Sequence, residues 1–409
     1  MLMSWTTQAV ATMAPFARRT NKMLKYLIFV YLLMQVNTSP GNVTNREAND
    51  DMELLMVYFV NRHGERAPDD VELSLSDQQE ELKSLTHVEG PEGLTNVGKR
   101  RAYQIGKFIR QRYGSEGSKI LSKVYLKDEI LVRSTDKDRT KMTALVAMSA
   151  AYPPEPVQQW DESLGKIWQP VPYYSVPLNE DYLRYFSNCD RFVELMRNAK
   201  DESIRQEFAP YLDVMQLLSR RTGQNFVENP LLLQALFDLF RSSLALGLNI
   251  PEWAKPFLES LSEGARLAYK LYFRTNEMKK IAGGVLLNKF TEQALIAASG
   301  KEIKPRLHVF SSHDFNLGAF MEVSRVRSNH GIPEYGAAFA LELYRSKVTG
   351  ELSVLPVYLP QAGDSTPQVL QVNGCDANPC GLTKFMELTK DFLLPEHEYY
   401  RICNIKTEL

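Results

Sequence analysis

The 409-residue chain is poor in the residues that build metal and redox centres, with only four cysteines and six histidines. It has no Cys-x-x-Cys pair and no His-Glu-x-x-His helix, so a zinc site is not expected. It also lacks an excess of either charge. Forty-eight basic residues face 49 acidic ones for a formal net charge of −1, which gives no general reason to bind nucleic acid. Disorder is excluded too, because 44% of the residues are hydrophobic. A chain of this length holds one large domain or two moderate ones.

Long apolar runs are equally scarce. The notable one, Leu24 to Val36, has a basic flank of Arg18, Arg19, Lys22 and, at its own start, Lys25. It falls short of the ~18 residues that a spanning helix needs, and its basic flank reads as a signal segment. Met23 opens that pattern cleanly, so residues 1–22 read as an optional upstream extension. Two glycosylation sequons follow, at Asn37 and Asn42. The reading is therefore a secreted or endomembrane protein. The terminal Lys406-Thr407-Glu408-Leu409 is one residue away from an ER-retrieval signal, though an ordinary charged tail explains it as well.

Past this segment the pattern is that of an α/β domain. Glu53 to Val60 is a near-continuous apolar run, suited to a strand buried on both faces. Thr95 then caps a segment with helical spacing at Ala102, Ile105, Phe108 and Ile109. A second strand is predicted at Ile130 to Arg133, with Ser134 to Asp136 capping a helix that runs through Ala150. Prolines at 153, 154, 156, 170, 172 and 177 break the alternation, and residues 190–299 read as mostly helical. Strand character returns at Arg306 to Phe310, Phe339 to Tyr344 and Leu352 to Tyr358. The predicted organisation is a signal segment over 1–36, an α/β domain over 51–155 and 300–409 with a mostly parallel central sheet flanked by helices, and a smaller, mainly helical insertion over 156–299.

Chemistry concentrates where strands end. Asn61-Arg62-His63-Gly64-Glu65-Arg66-Ala67-Pro68 follows the first strand, and ligand sites of open α/β sheets lie beyond the carboxyl ends of strands. Arginine presents a fork of donors that fits phosphate oxygens. A histidine between two arginines stays neutral in acid and is a competent nucleophile. Arg133-Ser134-Thr135-Asp136, with Arg139 three residues on, and Ser311-Ser312-His313-Asp314 follow two other strands in the same way. A solvated basic loop would explain any one of these; three together favour an anion-handling site.

These motifs resemble those of the histidine acid phosphatases, the branch with the prostatic and lysosomal enzymes. The RHGxRxP motif is Arg62 to Pro68, HD is His313-Asp314, and RSTDxDRT is Arg133 to Thr140. Weaker matches lie at His87 to Gly98, Val176 to Leu183, around Cys189, and around Cys375 and Cys380. The resemblance implies His63 as a nucleophile that becomes phosphohistidine, with Arg62, Arg66, Arg133 and His313 holding the phosphate. It implies Asp314 as the acid for the leaving alcohol, with no metal and no cofactor. It further implies a Cys189–Cys403 disulfide and small phosphomonoester substrates, while Cys375 and Cys380, close together in a loop with Gly, Asn and Pro, are expected to pair. Unlike the lysosomal type, no C-terminal membrane anchor is expected, and a homodimer is left open. Two positions depart from the family pattern: Asn61 stands before the RHG arginine, and Phe315 follows Asp314 where threonine is frequent. The extra disulfide that mammalian relatives carry in the insertion is absent. Two other readings compete: a mutase-like phosphotransferase of the same superfamily, and an inactive binding protein for an anionic ligand.

Overall fold

The computed structural model describes residues 51–160, 168–326 and 331–406. The signal segment with Met23, the sequons at Asn37 and Asn42, and residues 407–409 lie outside the described residues.

The predicted strands form one sheet. They are β1 (Met52–Arg62), β2 (Ile130–Ser134), β3 (Leu307–Ser312), β4 (Ala338–Ser346) and β5 (Leu352–Leu359). Two-residue strands β6 (Gln368–Val369) and β7 (Cys380–Gly381) add to β5. The order is β2-β3-β1-β4-β5-β6. The sheet is mixed rather than mostly parallel. β2, β3 and β1 run parallel, while β4 pairs antiparallel with both β1 and β5. The reason is connection length: β4 and β5 are joined by a few residues, which permit only a hairpin, whereas β1, β2 and β3 are separated by long crossovers.

Helices cover both faces, as the apolar run of β1 requires. The helices needed below are α1 (Asp70–Ser74), α2 (Asn96–Tyr113), α3 (Asp138–Ala151), α4 (Asp190–Gln206), α5 (Leu212–Thr222), α6 (Leu232–Ala245), α7 (Leu258–Lys270), α8 (Asn276–Ala298) and α9 (Asp314–Val323). On one face Ile105 and Ile109 of α2 and Ala147 and Met148 of α3 pack with Val57, Phe59, Val132 and Val309. On the other, Phe290 of α8 meets Tyr58 edge-on at 5.6 Å, and Phe320 of α9 meets Phe339 at 5.5 Å. Thr95 caps α2 as expected, its hydroxyl accepting from Gly98 N–H at 3.1 Å. The cap expected at Ser134 to Asp136 is not made. The α3 cap residue is Lys137, without a side-chain bond, because the Thr135 hydroxyl instead meets Thr140 at 2.9 Å and His313 Nε2 at 3.1 Å.

Between α3 and β3 the regular elements among the described residues are all helices, and the one strand-like contact is a bridge that Tyr174 makes to Arg133. Both expected disulfides are present. Cys189–Cys403 ties the start of α4 to the C-terminal region across 214 residues, and Cys375–Cys380 closes a short loop.

Candidate active site

Parallel register decides which loop residues meet. Arg62 pairs with Ser312 across β1 and β3, so His63 and His313 leave the sheet side by side, one residue past each strand. Their rings lie 5.6 Å apart at 78°.

The loop after β1 is held from beneath by α2. Thr95 donates its hydroxyl and its backbone N–H to Glu65 O at 2.9 and 3.0 Å. Gly64 presses so closely on Gly98 that a Cβ built on it would sit 2.3 Å from Gly98 O. The two backbones can touch only because both residues lack a side chain. That contact is the structural role of the segment His87 to Gly98.

His63 is 3% exposed. Its Nδ1 lies 2.8 Å from Gly64 O, a pure acceptor, so Nδ1 carries the proton. Nε2 is then the unprotonated nitrogen, and Arg139 Nε donates to it at 3.2 Å. Burial, and then Arg139, Arg62 and Arg66, hold the imidazole well below its usual pKa. The ring is thus neutral and aimed, with its lone pair facing a cation. Burial together with Arg139 and His63 keeps His313 low as well.

A cavity of about 370 Å³ opens over these groups, within the size range of small-ligand sites. It is lined by His63, His313, Asp314, Arg62, Arg66 and Arg139, among others. Arg133 is not on its wall. Its register partner is Phe310, which places it level with Val60, two residues short of Arg62. Its guanidinium donates to buried Asp181 at 2.5 Å and lies over the Tyr182 ring at 4.0 Å. The place that the sequence reading assigned to Arg133 is taken by Arg139, in the first turn of α3. Both arginines belong to the same RSTDxDRT motif, and spacing alone did not say which of them reaches the site.

Each of three cavity arginines has its own carboxylate. Arg66 makes a two-pronged pair with Glu72, both contacts 2.7 Å, and the Asp69 capping box holds Glu72 at the start of α1. Arg139 donates to Glu92 at 2.8 Å. Arg62 donates to Pro333 O at 2.6 Å and to Asp238 of α6 at 3.4 Å, and its guanidinium stacks over Tyr335. Such pairing keeps the cations buried and oriented.

Asp314 opens α9 and is 6% exposed. Its side-chain partners are distant, Gln234 Nε2 at 3.5 Å and Arg62 at 3.9 Å, and the Phe315 backbone also hydrogen-bonds its carboxyl. The sequence suggested that the cations would favour its charged form. Burial instead prevails, and with Asp238 it raises the Asp314 carboxyl above its usual pKa despite Arg62 and Arg241. Burial pushes Asp238 up as well, but Arg62, Arg241 and Arg66 more than offset it, so Asp238 is held low. One carboxyl of the pair is poised to carry a proton and the other to stay charged.

Gln234 and Asp238 were not singled out in the sequence. They lie four apart in the apolar run Leu231 to Phe240, and polar groups on one face of such a helix were a readable signal. The two departures from the family pattern also have places. Asn61 bonds Arg62 O at 3.2 Å, while Phe315 stacks on Tyr272 at 4.1 Å in the cavity wall.

Comparison with known proteins gives the same reading. Residues 53–355 match the histidine phosphatase superfamily (branch 2). Human prostatic acid phosphatase is 31% identical over 343 residues, covering 82% of this chain and 84% of that protein. The venom acid phosphatase Acph-1 of Apis mellifera is 29% identical over 350 residues, covering 85% and 87%. Human lysosomal acid phosphatase is 28% identical over 350 residues, covering 82% and 77%. Among solved structures, the phytase of Klebsiella sp ASR1 superposes with a TM-score of 0.61 at 16% identity, covering 84% of this chain and 95% of its own, a likeness of fold. By motif, by site geometry and by these matches, the chain belongs to branch 2 of the histidine phosphatase superfamily.

Proposed function

We propose that this protein is an acid phosphatase of the secretory route that hydrolyses phosphate monoesters through His63. The observation that carries the reading is the aimed imidazole: Nδ1–H is tied to Gly64 O at 2.8 Å, leaving Nε2 unprotonated at the cavity, with Arg139 Nε–H donating to it at 3.2 Å.

The phosphate group binds among Arg62, Arg66, Arg139 and His313. His63 Nε2 attacks phosphorus as the ester P–O bond breaks, and the departing alkoxide takes the proton of Asp314. Water then attacks phosphorus and breaks the P–N bond. Its proton passes to the Asp314 carboxylate, which returns the acid to its starting state, and inorganic phosphate leaves. The arginines stabilise charge on the transferring group in both steps. The chemistry asks for a protonated Asp314 and a neutral His63, and their opposite pKa shifts supply both in acid. The apolar segment with its basic flank supports entry to the secretory route, and two disulfides suit an oxidising compartment.

Purified protein quenched with an alkaline denaturant during turnover should carry acid-labile, base-stable phosphate on a histidine. His63→Ala should lose that label and turnover by on the order of 10⁴–10⁶. An alanine variant within tenfold of wild type would overturn the mechanism.

A further inference from the structure

One cation on the cavity wall differs from the rest. Arg62, Arg66 and Arg139 each have a carboxylate within hydrogen-bond distance, but Arg184 forms no ion pair among the described residues. Its Nε is shielded from solvent and has no hydrogen-bond partner. The guanidinium lies 4.5 Å over the ring of Phe186. Glu92 and Asp181 are the acids that it feels, yet each is engaged elsewhere, Glu92 by Arg139 and Lys137 and Asp181 by Arg133.

Arg184 stands at the edge of an aromatic wall. Phe186 packs against Phe315 at 5.3 Å and edge-on to His313 at 6.1 Å, and Phe315 stacks on Tyr272. Leu231, Leu232 and Ala235 line the same cavity, on and just before α6. The reacting groups and this apolar wall line one cavity. Arg184 is near enough for its charge to lower the pKa of His313 and Arg139, and among the described residues it is the cavity arginine without an ion pair. A planar apolar body packs on such a wall, and an unpaired guanidinium gains most from an anion that has no other partner.

Resting on the phosphatase reading above, we propose that Arg184 and the Phe186–Phe315–Tyr272 wall form a leaving-group subsite that selects phosphomonoesters with a flat apolar body bearing a second anionic group. The reacting phosphate is held by the inner arginines, and the second anion sits against Arg184. Arg184 acts in ground-state recognition, so its loss should appear mainly in KM.

The test compares meta- and para-carboxyphenyl phosphate with the carbamoylphenyl phosphates of the same geometry, which keep size and planarity but lose the charge. The readout is the ratio of kcat/KM for acid over amide; comparing it between wild type and variants cancels intrinsic ester reactivity. For the better-placed isomer, wild type should give a ratio about tenfold above that of Arg184→Gln, with Arg184→Lys between them. A general loss of folding or of active sites would scale both esters alike and leave the ratio unmoved. Hydrolysis of both esters with the same ratio in wild type and Arg184→Gln for both isomers would overturn the subsite alone. No hydrolysis of any ester by wild type would overturn the phosphatase reading and the subsite with it.

Discussion

Two buried carboxylates, one in each half of the sheet, have opposite surroundings. Glu342 on antiparallel β4 is fully buried and accepts four hydrogen bonds. Two come from Arg112 at 2.5 and 2.7 Å, one from Tyr113 at 2.8 Å and one from Tyr344 at 2.9 Å. Asp314, past the end of parallel β3, has a backbone hydrogen bond from Phe315, a 3.5 Å contact to Gln234 and a 3.9 Å approach to Arg62. A carboxylate with all its lone pairs engaged is committed to architecture. One left short of donors is free to exchange a proton. The chain thus separates stability from reactivity by how completely it satisfies a buried acid.

That separation can be broken by neutralising each acid in turn. Asp314→Asn should lower kcat/KM, which reports phosphoryl transfer to His63, by ~10²–10⁴ for alkyl phosphates, the usual worth of a general acid, while largely sparing kcat/KM for aryl phosphates, whose oxygen leaves without help. It should leave the protein no less stable, because a poorly compensated buried carboxyl is removed. Glu342→Gln should do the reverse, with turnover near wild type and stability lower by ~2–3 kcal/mol in denaturant melts. Equal losses on both ester types for Asp314→Asn would remove it as the acid.

The two arginines of the RSTDxDRT motif sharpen the contrast. Arg139→Ala should cost ~10²–10³ in kcat/KM, the effect of losing one electrostatic donor to the transferring group. Arg133→Ala should stay within a few-fold of wild type in rate but lower the melting temperature, since it strands Asp181 without its charged partner. A large rate loss for Arg133→Ala with normal stability would reverse the assignment.

The smallest effect is one of pH. Burial raises the Asp314 carboxyl, so its proton is present in acid and is lost as pH climbs through that raised value, and the rate must fall there. Burial and the arginines hold His63 low, so it stays neutral across the same range. Rate against pH should therefore be flat in acid and decline toward neutrality, and Asp314→Asn assayed on an aryl phosphate should lack the decline. A decline that persists in that variant belongs to another group.

Much of this was legible in the chain. The apolar run at Glu53 to Val60 could satisfy its side chains only inside a sheet covered on both faces. The three polar loops after predicted strands located the chemistry, since charged groups beyond strand ends must serve a ligand or be solvated. Elements whose signal is periodic and local, such as the Thr95-capped helix, came through with small errors at their ends. The cap expected at Ser134 to Asp136 did not, because the Thr135 hydroxyl is drawn to Thr140 and His313, 178 residues away from the latter.

The choice between Arg133 and Arg139 shows where sequence stops. Both are arginines six residues apart in one motif, and only the pairing of Arg133 with Phe310 shows that the first lies too deep. Likewise the sequence brought cations close to Asp314 but could not weigh them against burial or supply Asp238 from a helix 76 positions away. The chain by itself determined the residue types, the strand ends that bear them and the class of anion they suit, because these follow from local chemistry and hydrophobic period. Tertiary structure alone decided which cation faces His63 Nε2, which carboxyl burial raises and which cavity arginine has no ion pair among the described residues. Those depend on strand register and on desolvation, and both arise only when distant segments pack together.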